Sequence, residues 1–300
     1  MIITVATTPE LFRTSVLSAP VSWSDENNLS DVAVVPAGGG TNMAAALYCA
    51  GAETKLLVPA PEVSQFIRVL SLNGIPYDLV DVPGPIPVRY LIDAPDGRQL
   101  QFVDPPMDLK TTELAMLRDL CVAQAEHASW IVLAGVLPNV ANAGWYVDVM
   151  RALRLYHQNV RIAVSTSGSA FGAALRQVYT TKPDLMVLDA TEFSSDSERT
   201  DAVNTLIDAD VPHILVCHQR THFELHSRGT SLVADFEGTP GKQWLPWIDS
   251  ALAGVLLADP DENPQKALVS ALGWANAEIG DGVRAVPTPD MVHPELVRLT

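Results

Sequence analysis

The chain has 300 residues, with 35 Asp and Glu against 19 Lys and Arg and a formal net charge of −16. Apolar residues make up 48%, enough to offset the entropy of ordering the chain, and 18 Gly with 22 Pro is ordinary usage, so disordered and collagen-like classes are excluded. The acidic balance argues against nucleic acid or an anionic membrane as a partner, because both select clustered Lys and Arg.

In chain order, short apolar runs alternate with longer runs of helical period. The N-terminal Ile2-Ile3-Thr4-Val5-Ala6 has no basic leader and predicts a strand, not a signal peptide. Val32 to Val35 predicts another, running into Ala37-Gly38-Gly39-Gly40-Thr41-Asn42 and a small-residue helix from Met43 to Cys49. Thr54 to Val58 is a strand, followed by a helix with Pro61 near its start and Gly74 near its end. Tyr77 to Val82 is a strand; Val88 to Asp93 and Arg98 to Val103 form a hairpin across Ala94-Pro95-Asp96-Gly97. Helices then follow at Thr111 to Ala125, Ala141 to Tyr156, from Ser169 and from Thr200. They alternate with strands at Ile131 to Leu133, Arg161 to Val164, Leu185 to Leu188 and His213 to Val216. A second hairpin pairs His222 to His226 with Leu232 to Phe236, and helices at Ile248 to Ala258 and Pro264 to Ala277 close the chain.

Strands joined by helix-length connections predict an α/β fold: a mainly parallel, doubly wound sheet with helices on both faces. The early hairpin breaks that rhythm and suits a small β-flap beside the sheet. With no repeat and no interdomain linker, residues 1–300 read as one domain. Cys49, Cys121 and Cys217 are far apart and odd in number, which fits a reducing compartment. No apolar stretch approaches the ~20 residues that span a bilayer, so a cytoplasmic location is expected.

A P-loop is excluded, since Gly241-Lys242 is followed by Gln243; G-x-G-x-x-G after a strand, G-x-S-x-G and H-E-x-x-H are absent. Three features remain. Gly38-Gly39-Gly40-Thr41-Asn42 lets backbone approach a ligand at a helix start, with Asn42 able to bond sugar hydroxyls; the plainer reading is a tight turn with Asn42 as cap. His213, His218, His222 and His226, four of seven histidines, gather with Cys217 and Glu224. On a strand His222, Glu224 and His226 share a face, which suits a transition metal; the spacing matches no recognised site, which favours an exposed hairpin face. Asp249 opens a helix, either as a favourable charge on the macrodipole or as a general base beside an anion site.

Taken together, these segments resemble the ribokinase-like sugar kinases of the PfkB family, in its phosphofructokinase branch. Thr8-Pro9-Glu10-Leu11-Phe12-Arg13-Thr14 looks like N-P-A-L-D-R-T, and Gly38-Gly39-Gly40-Thr41-Asn42-Met43-Ala44 looks like G-G-G-x-N-V-A. Ala134-Gly135-Val136-Leu137-Pro138 is similar to S-G-S-L-P, and Ser165-Thr166-Ser167-Gly168-Ser169-Ala170 to D-[TS]-S-G-E-A. Asp189-Ala190-Thr191-Glu192 falls at N-x-x-E, and Asp249 ends the segment that falls at G-A-G-D. The resemblance implies a β-lid from segments near 10–31 and 85–104. It implies transfer of the ATP γ-phosphoryl group to a hydroxyl of a sugar or sugar phosphate, as in 1-phosphofructokinase. Asp249 would be the base, and Glu192 would organise Mg²⁺ through water. Gly38, Gly39, Gly40, Asn42, Arg13 and Arg89 would contact the acceptor. Asp189, Cys217, Gln219 and Ile248 would contact the nucleotide. A homodimer through the lid is also implied, with Tyr90, Leu91, Ile92, Leu100 and Phe102 as apolar positions.

Several positions depart from the pattern. G-A-G-D is Pro246-Trp247-Ile248-Asp249, which removes one N–H and adds bulk. The sugar-binding Asp is Phe12, and the lid's T-R-x-N is Pro85-Ile86-Pro87-Val88. Cys217-His218-Gln219-Arg220-Thr221-His222 replaces the glycine-bearing nucleotide loop T-L-G-x-x-G. These changes support a second reading, a pseudokinase scaffold that binds a ligand or protein with little or no transfer.

Overall fold

The structure, a computed structural model, describes residues 1–241, 245–279 and 286–300; Lys242 and Gln243, which break the P-loop pattern, lie outside them. The first part of the chain forms β1 (Ile2–Ala6), β2 (Glu10–Leu17), β3 (Leu29–Ala37), α1 (Gly39–Cys49), β4 (Thr54–Ala60), α2 (Gln65–Leu72), β5 (Tyr77–Asp81), β6 (Val88–Asp93) and β7 (Gln99–Val103). Then come α3 (Thr111–Gln124), β8 (Trp130–Ala134), α4 (Trp145–Tyr156), β9 (Arg161–Ser165), α5 (Gly168–Arg176), α6 (Val178–Thr181), β10 (Leu185–Asp189) and α7 (Asp196–Asp208). The last part forms β11 (His213–Gln219), β12 (His222–Ser227), β13 (Thr230–Phe236), α8 (Trp247–Ala258), α9 (Pro264–Asn276) and β14 (Val297–Leu299).

Ten strands make the main sheet, in the order β14-β13-β12-β11-β10-β9-β8-β1-β4-β5. From β5 across to β11 every pairing is parallel; β12, β13 and β14 add antiparallel. The parallel strands are nearly continuous apolar runs because helices bury both faces. All five residues of β1 and of β8 are buried. One core gathers α1, α2, α8 and α9 on one face, and the other gathers α3, α4, α5 and α7 on the opposite face. Helix starts follow local chemistry. The side chains of Ser64, Ser195 and Asn263 each accept from an amide of the first turn, and Pro264 sits where its missing N–H costs nothing.

The second sheet has the order β3-β2-β6-β7. It uses the expected hairpin, with Tyr90 opposite Phe102. It also takes the Val32 to Val35 run, which the alternation alone had placed no differently from the main-sheet strands: Val35 pairs with Phe12 and Val34 with Arg13. Its strands span 10–17, 29–37, 88–93 and 99–103. β2 has no clean alternation, because the neighbours Leu11 and Phe12 are both buried in the same core, so no period-2 signal survives. Among the described residues no helix is long and apolar enough to cross a membrane.

At the edge opposite the strand C-termini, an ion cluster ties β9 and β11 to the loop after α8. Asp261 accepts from Arg161 Nη1 at 2.9 Å, from His213 Nε2 at 3.0 Å and from Arg228. Burial pushes the Asp261 carboxyl up, but the hydrogen bonds from Arg228, His213 and Arg161 outweigh it and hold the group well below the usual carboxylate range. That stability is present above the unfolded pKa of about 4 and is lost on acidification through the folded value. Asp261→Asn is expected to cost about 1–2 kcal/mol in urea unfolding at pH 7, and distinctly less at pH 2. An equal cost at both pH values would contradict the ion cluster.

Candidate active site

Ligands of open α/β sheets sit at the carboxyl ends of the strands. A cavity of about 600 Å³ lies there. Thr7 and Thr8 after β1, Gly135 after β8, Ser165 to Ser167 at the end of β9 and Asp189 at the end of β10 form its floor. Glu10, Arg89 and Val103 of the second sheet form its roof.

Asp249 lies at the third residue of α8, lines the cavity, and is only 5% exposed. Asn42, on α1, donates from Nδ2 to Asp249 Oδ2 at 2.7 Å. Burial pushes the carboxyl up to about 7, against the pull of the Asn42 hydrogen bond. A carboxyl that titrates near neutrality can take a proton at physiological pH. Asn42 is therefore not the cap of its helix. Gly38 is the N-cap residue, with no side-chain bond, and the Asn42 side chain reaches across to a different helix.

Departures in the Pro246-Trp247-Ile248-Asp249 segment resolve in a definite direction. The indole of Trp247 stacks on Phe223, with centroids 5.8 Å apart and planes 27° apart, and packs on the core. Trp247 does not line the cavity; Pro246 and Ile248 do. The mouth of α8 is thus walled by aliphatic carbon but not filled by the indole. In its first turn the Asp249 amide donates to Pro246 O at 3.2 Å, which leaves the Trp247 and Ile248 amides, with no acceptor within the helix, for an anion.

The glycine turn is built for contact between backbones. Gly38 has φ 104°, and a Cβ there would stand 2.4 Å from Thr8 O. A Cβ on Gly39 would stand 2.7 Å from Gly135 Cα. Gly38 and Gly39 both line the cavity. Gly40, expected beside them, is buried against the Val5 carbonyl and does not line it. It is the helical step that turns Gly40 inward, toward β1.

Asp189 and Glu192 line the cavity too. Asp189 Oδ1 accepts from Thr191 N at 2.9 Å, and Glu192 Oε2 accepts from Gly168 N at 3.2 Å at the start of α5. Arg89 is present, but its guanidinium is forked onto Glu10, both bonds at 3.2 Å. Arg13, on β2, does not line the cavity. Neither do Cys217 and Gln219. Cys217 pairs in register with Asp189 but is fully buried, and burial raises its thiol well above the ordinary value. Gln219 is exposed at the strand end. The loop after it is anchored elsewhere: Arg220 Nε donates to Ala275 O and Asn276 Nδ2 donates to Arg220 O, both at 2.7 Å.

Among described lining residues there are five carboxylates, on Glu10, Asp104, Asp189, Glu192 and Asp249, and one cation, Arg89. Glu10, Asp104, Thr7, Thr166 and Asn139 were not singled out by sequence. Thr7 and Thr166 follow or end buried strands, and polar residues at the carboxyl ends of parallel strands are the signal that would have found them.

No family model matches the sequence, and no curated protein matches it. Solved structures do. Phosphofructokinase-2 from Escherichia coli, in complex with substrates and products, is 17% identical with a TM-score of 0.84, covering 98% of this chain and 99% of that one. A possible 1-phosphofructokinase from Thermotoga maritima is 14% identical with a TM-score of 0.82, covering 100% and 99%. A carbohydrate kinase from Agrobacterium tumefaciens is 16% identical with a TM-score of 0.68, covering 100% and 99%. The strand order, the roofing sheet and these likenesses together establish that the chain has the ribokinase-like α/β fold of the PfkB-type phosphofructokinases.

Proposed function

We propose that this protein transfers the γ-phosphoryl group of ATP to a hydroxyl of a small sugar-like alcohol, with Asp249 as the general base. One observation carries the reading: a buried carboxyl, titrating near 7, at the mouth of a helix that opens onto the cavity at the strand ends. Asp249 takes the hydroxyl proton as the alcohol oxygen bonds to the γ-phosphorus. The bond from that phosphorus to the β,γ-bridging oxygen breaks, and ADP leaves. The Trp247 and Ile248 amides at the start of α8 are the donors for the charge that develops on the phosphoryl oxygens. Asn42 holds the carboxylate in place. Asp189 and Ile248 line the side on which the nucleotide would lie.

The donor set fits a hard divalent cation. Asp189 and Glu192 are oxygen ligands in a cavity whose carboxylates outnumber its cations five to one. They would hold Mg²⁺ through water, which would neutralise the triphosphate. The same charge excess selects the acceptor. A phosphorylated sugar needs a free cation, and Arg89 is already paired with Glu10. Aliphatic Pro87, Val103 and Ile248 supply the remaining wall. A neutral polyol therefore fits better than the sugar phosphate. Escherichia coli phosphofructokinase-2 has been solved with fructose-6-phosphate, so this chain would differ in acceptor while keeping the chemistry.

Three outcomes follow. A coupled ADP-release screen should find turnover on a neutral polyol, and millimolar MgATP should raise Tm. The absence of both would overturn the kinase reading and leave a scaffold. Asp249→Asn should lower kcat by about 10²–10⁴ while the MgATP shift in Tm persists. Wild-type kcat should rise with pH through about 7, and Asn42→Leu should move that limb to higher pH, because the hydrogen bond it removes favours the carboxylate.

The same group has a stability signature. Its folded pKa lies above the unfolded value, so the buried carboxylate weakens the fold above pH 7 and not below about pH 4. Asp249→Asn should therefore be more stable than wild type at pH 8, by roughly 2–4 kcal/mol, and equal to it near pH 3.5. Equal stability at pH 8 would place the carboxylate in water.

A homodimer through the second sheet belongs to this reading. Leu91 is buried toward the core, but Val16, Leu29, Val32 and Phe102 are more than a third exposed. Covering them with a second copy would also protect the sheet edges. Light scattering at micromolar concentration should give twice the chain mass, and a monomer mass would refute it.

A further inference from the structure

The histidine cluster divides in the structure. His213 is buried at the far end of β11, bonded through Nδ1 to Ser227 Oγ and through Nε2 to Asp261. His218, His222, Glu224 and His226 stay together on one face of the β11–β12 hairpin. That face is opposite Phe223 and Leu225, which are buried in the core beside α8 and α9. A register irregularity gathers them. Cys217 pairs with Phe223 and Gln219 with His222, so His218 has no partner of its own and bulges out. Bulges re-aim side chains in this way. The result is a ring contact of His218 with His222, centroids 4.9 Å apart, and a 2.7 Å bond from His218 Nε2 to Glu224 Oε1.

We infer that His218, His222 and Glu224 form a binding site for a divalent transition metal of the zinc class. One ligand atom from each of the three lies within 4.8 Å of the other two, the only such set among the described residues. Bonds of about 2.0–2.2 Å to a tetrahedral ion need ligand atoms a little over 3 Å apart, which small side-chain rotations reach. Imidazole with carboxylate selects zinc-like ions over Mg²⁺ or Ca²⁺.

The surroundings support a ligand role. His222 Nδ1 is 2.7 Å from Asp235 Oδ1. That bond fixes the tautomer with the proton on Nδ1 and leaves Nε2 with a lone pair for the ion, the arrangement carboxylates impose on metal-bound histidines. His226 Nε2 is buried with no hydrogen-bond partner, and stands 3.5 Å from Glu224 Oε2. It is placed to join the ion as a fourth ligand when Glu224 turns. The ion takes the place of the proton between His218 Nε2 and Glu224 Oε1, and the neutral imidazole carries its one proton on Nδ1 instead. The turn Arg220-Thr221 lies between the two histidine ligands, so the bound ion staples the strand ends that the anchors to α9 already hold. This site is independent of Asp249 and of phosphoryl transfer.

The test uses the full-length chain, stripped with EDTA and dialysed. Zn²⁺ should bind at one per chain by elemental analysis and raise Tm by at least about 3 °C, whereas Mg²⁺ at the same concentration should not. Co²⁺ should give the visible absorption of a four-coordinate ion. His218→Ala/His222→Ala should abolish the Co²⁺ band and the Zn²⁺ shift, Glu224→Gln should weaken binding at least tenfold, and His127→Ala, at a distant exposed histidine, should change neither. Asp235→Asn should weaken binding at least tenfold through His222 alone; it also serves if the double variant fails to fold. No Zn²⁺ shift in the wild type, or an undiminished shift and band in the folded variants, would overturn the site.

Discussion

The 2.7 Å bond between Asn42 and Asp249 is the constraint on which the site depends. It joins the first turns of α1 and α8, two helices whose bonded residues are 207 positions apart in the chain. Both helices pack on the same face of the main sheet, and both open toward the same strand ends. A buried carboxylate without a partner would be neutral at physiological pH. One donor lowers the cost enough to leave it titrating near 7. The Asn42 carbonyl oxygen is buried with no hydrogen-bond partner, the cost of placing an amide where only its NH₂ is used.

Around that bond the packing is arranged by backbone contact. Gly38 and Gly39 bring α1 against Thr8 and Gly135, which leaves no volume for side chains between the strand ends. Trp247 turns into the core onto Phe223, so the bulk at the start of α8 packs inward without closing the helix mouth. The charge pattern points the same way as the shape. Acidic residues outnumber basic ones at the cavity as they do in the whole chain, and a polyanion can enter only with its own cations.

Much of the fold was legible in the sequence because it rests on local periodicity. Val88 to Asp93 was bounded as found, and the helices predicted from Thr111 and to Ala258 were placed within a residue or two. β2 escaped because burial on both faces erases alternation, and β14, with three residues, is too short to carry a period. The site was legible in part. Asp249, Asn42, Gly38, Gly39, Asp189, Glu192, Arg89 and Ile248 all line one cavity. Arg13, Gly40, Cys217 and Gln219 do not, since motif position says which strand or turn a residue occupies and not which side its atoms take.

By itself the sequence determined the succession of strands and helices, the glycine turn before α1 and the acid in the first turn of α8. These follow from propensity, capping and hydrophobic period, which act over a few residues. Only the tertiary structure decided that Asn42 bonds to Asp249, that Trp247 faces Phe223, and that Arg89 is neutralised by Glu10. It alone separated His213 from the other histidines and swung His218 onto the face of His222 and Glu224. Each of these depends on which distant segments share a sheet edge or a helix layer, and that is set by burial of the whole core at once.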